Sequence, residues 1–162
     1  MPTAPMVIDR QRKVRVARKP LENFLRRIHK ELKLSNAEVS VALVSDAEIA
    51  RLNHLYRNKD GPTDILSFPS GAVTSRIVHL KRSAGSAHSP HVTHYSTLFL
   101  GDIAIAPAIA RRYARKHGRT LSSELRVLLL HGVLHLLGYD HETDRGQMNR
   151  IERKLRRRLG LA

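Results

Sequence analysis

The chain has no cysteine among its 162 residues. Neither a disulfide nor a thiolate ligand can therefore hold the fold, and any metal falls to histidine and carboxylate. A reducing compartment is compatible with that absence, and a cytoplasmic location is expected. No apolar run approaches the roughly 20 residues needed to span a bilayer, which argues against membrane insertion. The opening MPTAPMVIDR has no apolar signal core, and a strand expected from about Met6 leaves no room for a removable transit segment. Acidic residues are also scarce. Asp and Glu number 14 against 29 Lys and Arg, a formal net charge of +15 with histidine neutral. An excess of that size calls for a polyanionic partner, nucleic acid or an anionic membrane surface.

What the chain does have is HGVLHLLGYDH over residues 131–141. His131 and His135 are four apart, so on a helix they lie about 40° apart around the axis and about 6 Å apart along it, on one face. That is the geometry of a shared metal. On a continued helix His141 would be carried roughly 9 Å onward and around to another side. Gly138 removes the obstacle, because a glycine just past an apolar run can take the left-handed conformation and fold the chain back. Three neutral imidazoles suit one zinc ion per chain and leave a fourth position open, as catalytic rather than structural sites do. The surrounding Leu128, Leu129, Leu130, Val133, Leu134, Leu136 and Leu137 make the helix apolar nearly all round, and a buried helix has little other use for three histidines.

One residue is missing from this motif. The spacing matches the zinc-protease pattern HExxHxxGxxH, but Gly132 stands where those proteases carry their glutamate base. Peptide hydrolysis is disfavoured.

Along the chain, a short strand is expected from Met6 to Ile8, followed by a basic stretch over 10–19 with the look of an exposed edge or loop. Pro20 stands at a helix start, and Leu21, Phe24, Leu25, Ile28 and Leu32 recur at helical spacing to about Lys33. Val39 to Val44 reads as a strand by its β-branched content, and Ser45 or Asp46 caps a helix to about Tyr56. Asp64 to Phe68 is a short strand bounded by Gly61-Pro62 and Pro69. Over 70–96 the apolar content falls and Ser, Gly and His rise, so a mobile loop is expected; its histidines, His79, His88, His91 and His94, are too irregularly spaced to suggest a second metal site. Strand character returns from Leu98 to Ala106. Pro107 opens a helix to about His117 that Gly118 ends, Thr120 caps the metal helix to about Leu137, and residues 147–159 form an amphipathic helix with a basic outer surface. About four strands among five helices, without a repeat, predict one α+β domain over 1–162, mixed α/β layers with helices packed on a small mixed sheet.

A second constellation is LNHLYRNKDGPTDILSFP, from Leu52 to Pro69. Its Arg57 offers forked donors matched to a phosphate, which a lysine does not reproduce. This segment, then LGDIAIA from Leu100, then HGVLHLLGYDH, followed by Met148 and Glu152, closely resembles the YbeY family of bacterial endoribonucleases, the rRNA maturation factors. The resemblance covers roughly 39–152 apart from the 70–96 segment, which is longer than the family's equivalent. It implies a zinc-dependent, single-strand-specific endoribonuclease that processes ribosomal RNA near the small-subunit 3′ end and serves ribosome quality control. It places the family's zinc ligands on His131, His135 and His141, and its functional arginine on Arg57. Pro62, Thr63 and Asp64 agree with the family's segment before the third strand.

The metal motif contains no evident general base. Asp102 is a candidate for orienting a ligand, and Asp140 and Glu142 are further carboxylates near the histidines. Two other readings stay open: a non-enzymatic RNA-binding ribosome assembly factor with a structural zinc site, and a zinc peptidase.

Overall fold

The computed structural model describes residues 5–71 and 97–161. Among them are four strands and five helices: β1 (Met6–Asp9), α1 (Arg18–Glu31), β2 (Ala37–Leu43), α2 (Asp46–Arg57), β3 (Ile65–Pro69), β4 (Leu98–Ile105), α3 (Pro107–Lys116), α4 (Leu121–Leu136) and α5 (Gln147–Leu159). The expected α+β class, with a small mixed sheet and packed helices, is what the chain adopts. From residue 72 onward, the loop expected over 70–96 lies outside the described residues.

The strands form one sheet in the order β1-β2-β4-β3. β1, β2 and β4 run parallel, and β3 lies antiparallel to β4 with Ser67 opposite Ile103. Among the described residues β3 is thus an edge strand of the sheet. Alternation along the strands sends side chains to two faces. Val39, Val41, Leu43, Ile103 and Ile105 enter the main core with α1, α4 and α5. Val44, Leu66, Ala104 and Ala106 build a smaller cluster on the opposite face, closed by Ile49 of α2 and Ile109 of α3.

Local chemistry sets the helix ends. The Ser45 hydroxyl accepts from the Glu48 backbone N–H at 3.2 Å, and that of Thr120 accepts from Ser123 at 3.1 Å. α1 begins at Arg18, two residues before the expected start. Pro20 is accommodated within the first turn, where backbone N–H groups have no intrahelical partner anyway. Within the basic stretch before it, Val14 is buried rather than exposed. Its N–H donates to the Gln11 side-chain oxygen at 2.9 Å while the Gln11 amide donates to its carbonyl at 2.7 Å.

α4 packs against β3, β4, α1, α3 and α5. Leu125, Leu129, Leu130, Val133, Leu134 and Leu136 are each at most 2% exposed. Helix and sheet approach closely at Gly132: a Cβ there would stand 2.9 Å from Ile103 Cδ1 and 3.0 Å from Ile65 Cδ1. The residue after the first histidine of the motif therefore faces the sheet.

Candidate metal centre and substrate cleft

α4 ends as its sequence requires. Gly138 has φ +90°, its N–H donates to His135 O at 2.9 Å, and the Tyr139 N–H donates to Leu134 O at 3.1 Å. These paired bonds form a Schellman motif that reverses the chain. The following turn is tied by Asp140, which accepts from the Glu142 backbone N–H and the Thr143 hydroxyl, both at 3.0 Å. Those hydrogen bonds hold the exposed Asp140 carboxyl below the usual range.

The reversal brings His141 back to His131 and His135. One ring nitrogen from each of the three lies within 4.8 Å of the others, and the ring centroids are 4.6, 5.4 and 5.3 Å apart. His131 Nε2 and His135 Nε2 are separated by 3.1 Å, close to the about 3.3 Å expected between two nitrogens on one tetrahedral zinc. On its other side, His131 Nδ1 lies 3.1 Å from Glu152 Oε2. An ionised carboxylate only accepts, so His131 carries its proton on Nδ1 and turns the Nε2 lone pair toward the other rings. Burial lowers the pKa of His135, and the neighbouring His131 and His141 lower it further. A lowered pKa favours the neutral His135 imidazole, the form that binds a metal ion.

Glu152 was not singled out as a ligand-orienting residue from the sequence. It projects from α5, is only 7% exposed and also accepts from Arg156 at 2.6 Å. Burial alone would raise its pKa, but the hydrogen bond from His131 and the charge and hydrogen bond of Arg156 outweigh that and hold it below the usual carboxylate range. Asp102, the sequence candidate for this role, is instead an exposed residue of β4. Strand alternation, which buries Ile103, turns it outward. The available signal for Glu152 was its spacing: it stands four residues after Met148 and three before Leu155, on the apolar stripe of α5.

Arg57 is the last residue of α2, not a residue of the following loop. The helix closes on Asn58 in the left-handed conformation, and the buried Asn53 side chain donates to Gly61 O at 3.0 Å, pinning the 58–61 turn back onto the helix. Arg57 and all three histidines line one cleft of about 870 Å³ that wraps around β3. α2 reaches it from one face of the sheet and α4 from the other. Across the gap, Arg57 Nη2 lies 3.6 Å from Glu142 Oε1.

Residues 6–160 match the family described as Endoribonuclease YbeY. The chain belongs to that family. The Solibacter usitatus protein named Endoribonuclease YbeY is 39% identical over 99% of this chain and 91% of its own length, and the Koribacter versatilis protein of the same name is 39% identical over 96% and 86%. A Thermotoga maritima protein solved in solution superposes with a TM-score of 0.56 at 29% identity, covering 95% of this chain and 89% of that one. As a member of that family, the chain is an enzyme that hydrolyses RNA phosphodiester bonds at internal positions. No helix among the described residues is long and apolar enough to cross a membrane.

Proposed function

We propose that the chain is a zinc-dependent, single-strand-specific endoribonuclease. In this reading it acts in the cytoplasm as one domain on ribosomal RNA, near the 3′ end of the small-subunit RNA, and serves ribosome quality control. The observation that carries the reading is the meeting of two constellations, His131, His135 and His141 from α4 and its turn and Arg57 from α2, in one cleft across the β3 edge.

The residues have separable tasks. His131, His135 and His141 would hold one zinc ion per chain, with Glu152 fixing the tautomer of His131. When bound, zinc supplies Lewis acidity and an activated water. In the hydrolysis, a water oxygen bonds to phosphorus, the bridging P–O bond breaks, and the leaving oxygen takes up a proton. Arg57 would grip the phosphate through its forked donors and offset charge gathering on the phosphoryl oxygens. Its present partner, Glu142, is exposed, so exchange for a phosphate sacrifices little. The net charge of +15 favours encounter with a polyanion.

Competing readings are weaker on specific grounds. A structural zinc site normally takes four protein ligands; among the described residues the cluster offers three, with His141 exposed to the cleft. A peptidase needs its glutamate after the first histidine, and that position faces Ile65 and Ile103 of the sheet. The test is to offer the purified protein single-stranded RNA and casein before and after chelation, with zinc added back. RNA cleavage that chelation abolishes, zinc restores and His135→Ala lacks is the expected result. Intact RNA in the presence of fully zinc-loaded protein would overturn the endoribonuclease reading.

A further inference from the structure

Aromatic residues are rare in this chain, four Tyr, three Phe and no Trp, yet Tyr56, Phe68 and Tyr139 all line the cleft that holds the histidines. Tyr56 extends the inward stripe of α2. Ile49 is fully buried, Leu52 packs against the smaller core cluster, and Tyr56, four residues further, emerges with 63% of its surface accessible. As a core residue it would be badly placed. It is nevertheless held: its ring meets that of Phe68 edge to face, with centroids 5.0 Å apart and planes inclined at 69°. Phe68 in turn is anchored on the smaller core cluster. An exposed ring oriented by a half-buried one, one residue before Arg57, is a preorganised surface rather than a disordered side chain.

Resting on the endoribonuclease reading above, we propose that Tyr56, braced by Phe68, is a stacking platform for one unpaired nucleobase next to the phosphate held by Arg57. Every nucleobase has a π face, and stacking on an exposed aromatic ring is a recurrent way to hold single-stranded RNA without reading its sequence. Within a duplex both faces of a base are already covered by its neighbours. A platform beside the scissile phosphate therefore favours a nucleotide that is free of its helix. Tyr56 acts in this scheme as a specificity-determining residue that positions RNA and takes no part in proton transfer.

The experiment compares zinc-loaded wild type, Tyr56→Phe, Tyr56→Leu and Tyr56→Ala in steady-state cleavage of an unpaired oligoribonucleotide. The same oligonucleotide is also made with a single abasic nucleotide stepped across the cleavage site. Melting temperature and zinc content serve as folding controls. Tyr56→Phe keeps the ring and should keep wild-type KM. Loss of the ring in the Leu and Ala variants should raise KM roughly tenfold or more with kcat little changed. In wild type, one abasic position beside the cleavage site should raise KM by a similar factor, and Tyr56→Ala should no longer sense that abasic position. An unchanged KM in Tyr56→Leu, or equal losses on intact and abasic RNA, would overturn the platform while leaving the endoribonuclease reading intact. A wild-type protein that does not cleave RNA would remove both.

Discussion

His131 Nδ1 and Glu152 Oε2 lie 3.1 Å apart, joining α4 to α5 behind a histidine whose other ring nitrogen belongs to the three-histidine cluster. The hydrogen bond fixes the tautomer and raises the basicity of the ligand nitrogen. Glu152→Gln keeps the side-chain volume but removes the negative charge, and metal affinity should fall about 10- to 100-fold. Competition with a chromophoric chelator measures this directly. Unchanged affinity would remove Glu152 from the site.

What the sequence made legible was local. Gly138, the three histidines and the caps Ser45 and Thr120 act over a few residues, so spacing and backbone chemistry were enough to place them. The convergence of Arg57 with the histidines was not legible from spacing, because it depends on α2 and α4 covering opposite faces of β3 and meeting at its edge. The strand order was equally hidden, since β4 inserts between β2 and β3 through pairings remote in sequence. Glu152 is an intermediate case. Its place on the apolar stripe of α5 was readable as an anomaly, but its partner lies 21 residues away on a different helix.

Gly132 separates packing from chemistry. In Gly132→Glu a charged side chain would be driven against the apolar Ile65 and Ile103 side chains at the helix–sheet contact, so the cost should be about 3 kcal/mol or more. Gly132→Ala should be much milder, because its methyl meets the far ends of two isoleucine side chains and gains about 1 kcal/mol of helix propensity. Urea unfolding of both variants checks the order. A stable Gly132→Glu protein that hydrolyses casein would contradict the packing and revive the peptidase reading.

Two histidines give the metal-free protein an acid-sensitive stability. Burial lowers the pKa of His29, whose buried Nε2 has no hydrogen-bond partner among the described residues, and burial with the nearby His131 and His141 lowers that of His135. With folded pKa values below the ordinary value of about 6.5, the unfolded chain binds more protons in the window below that value. Stability should be complete above about pH 6.5 and decline as pH falls through the folded pKa values. Urea midpoints of chelator-treated protein at two pH values on either side of that window read the effect, and His29→Gln should reduce the difference. Higher stability on the acid side would reverse the sign and defeat the assignment.

Arg57 divides a catalytic cleft from a merely structural one. It is 40% exposed, and its pair with Glu142 spans 3.6 Å at the surface, a kind of contact worth about 0–1 kcal/mol. Replacing it should leave melting temperature and zinc content nearly unchanged. Activity should follow a different scale. Lysine keeps the charge but loses the fork, so cleavage should rank Arg, then Lys, then Ala. Loss of a contact directed at transition-state charge typically costs on the order of 3 kcal/mol, or about 100-fold in kcat for Arg57→Ala. Glu142→Gln gives the complementary result: with its carboxylate neutralised, Arg57 is released to the substrate, and KM should fall modestly with kcat preserved. Wild-type kcat in Arg57→Ala would refute the phosphate role, whereas unfolding or zinc loss in that variant would make the residue structural.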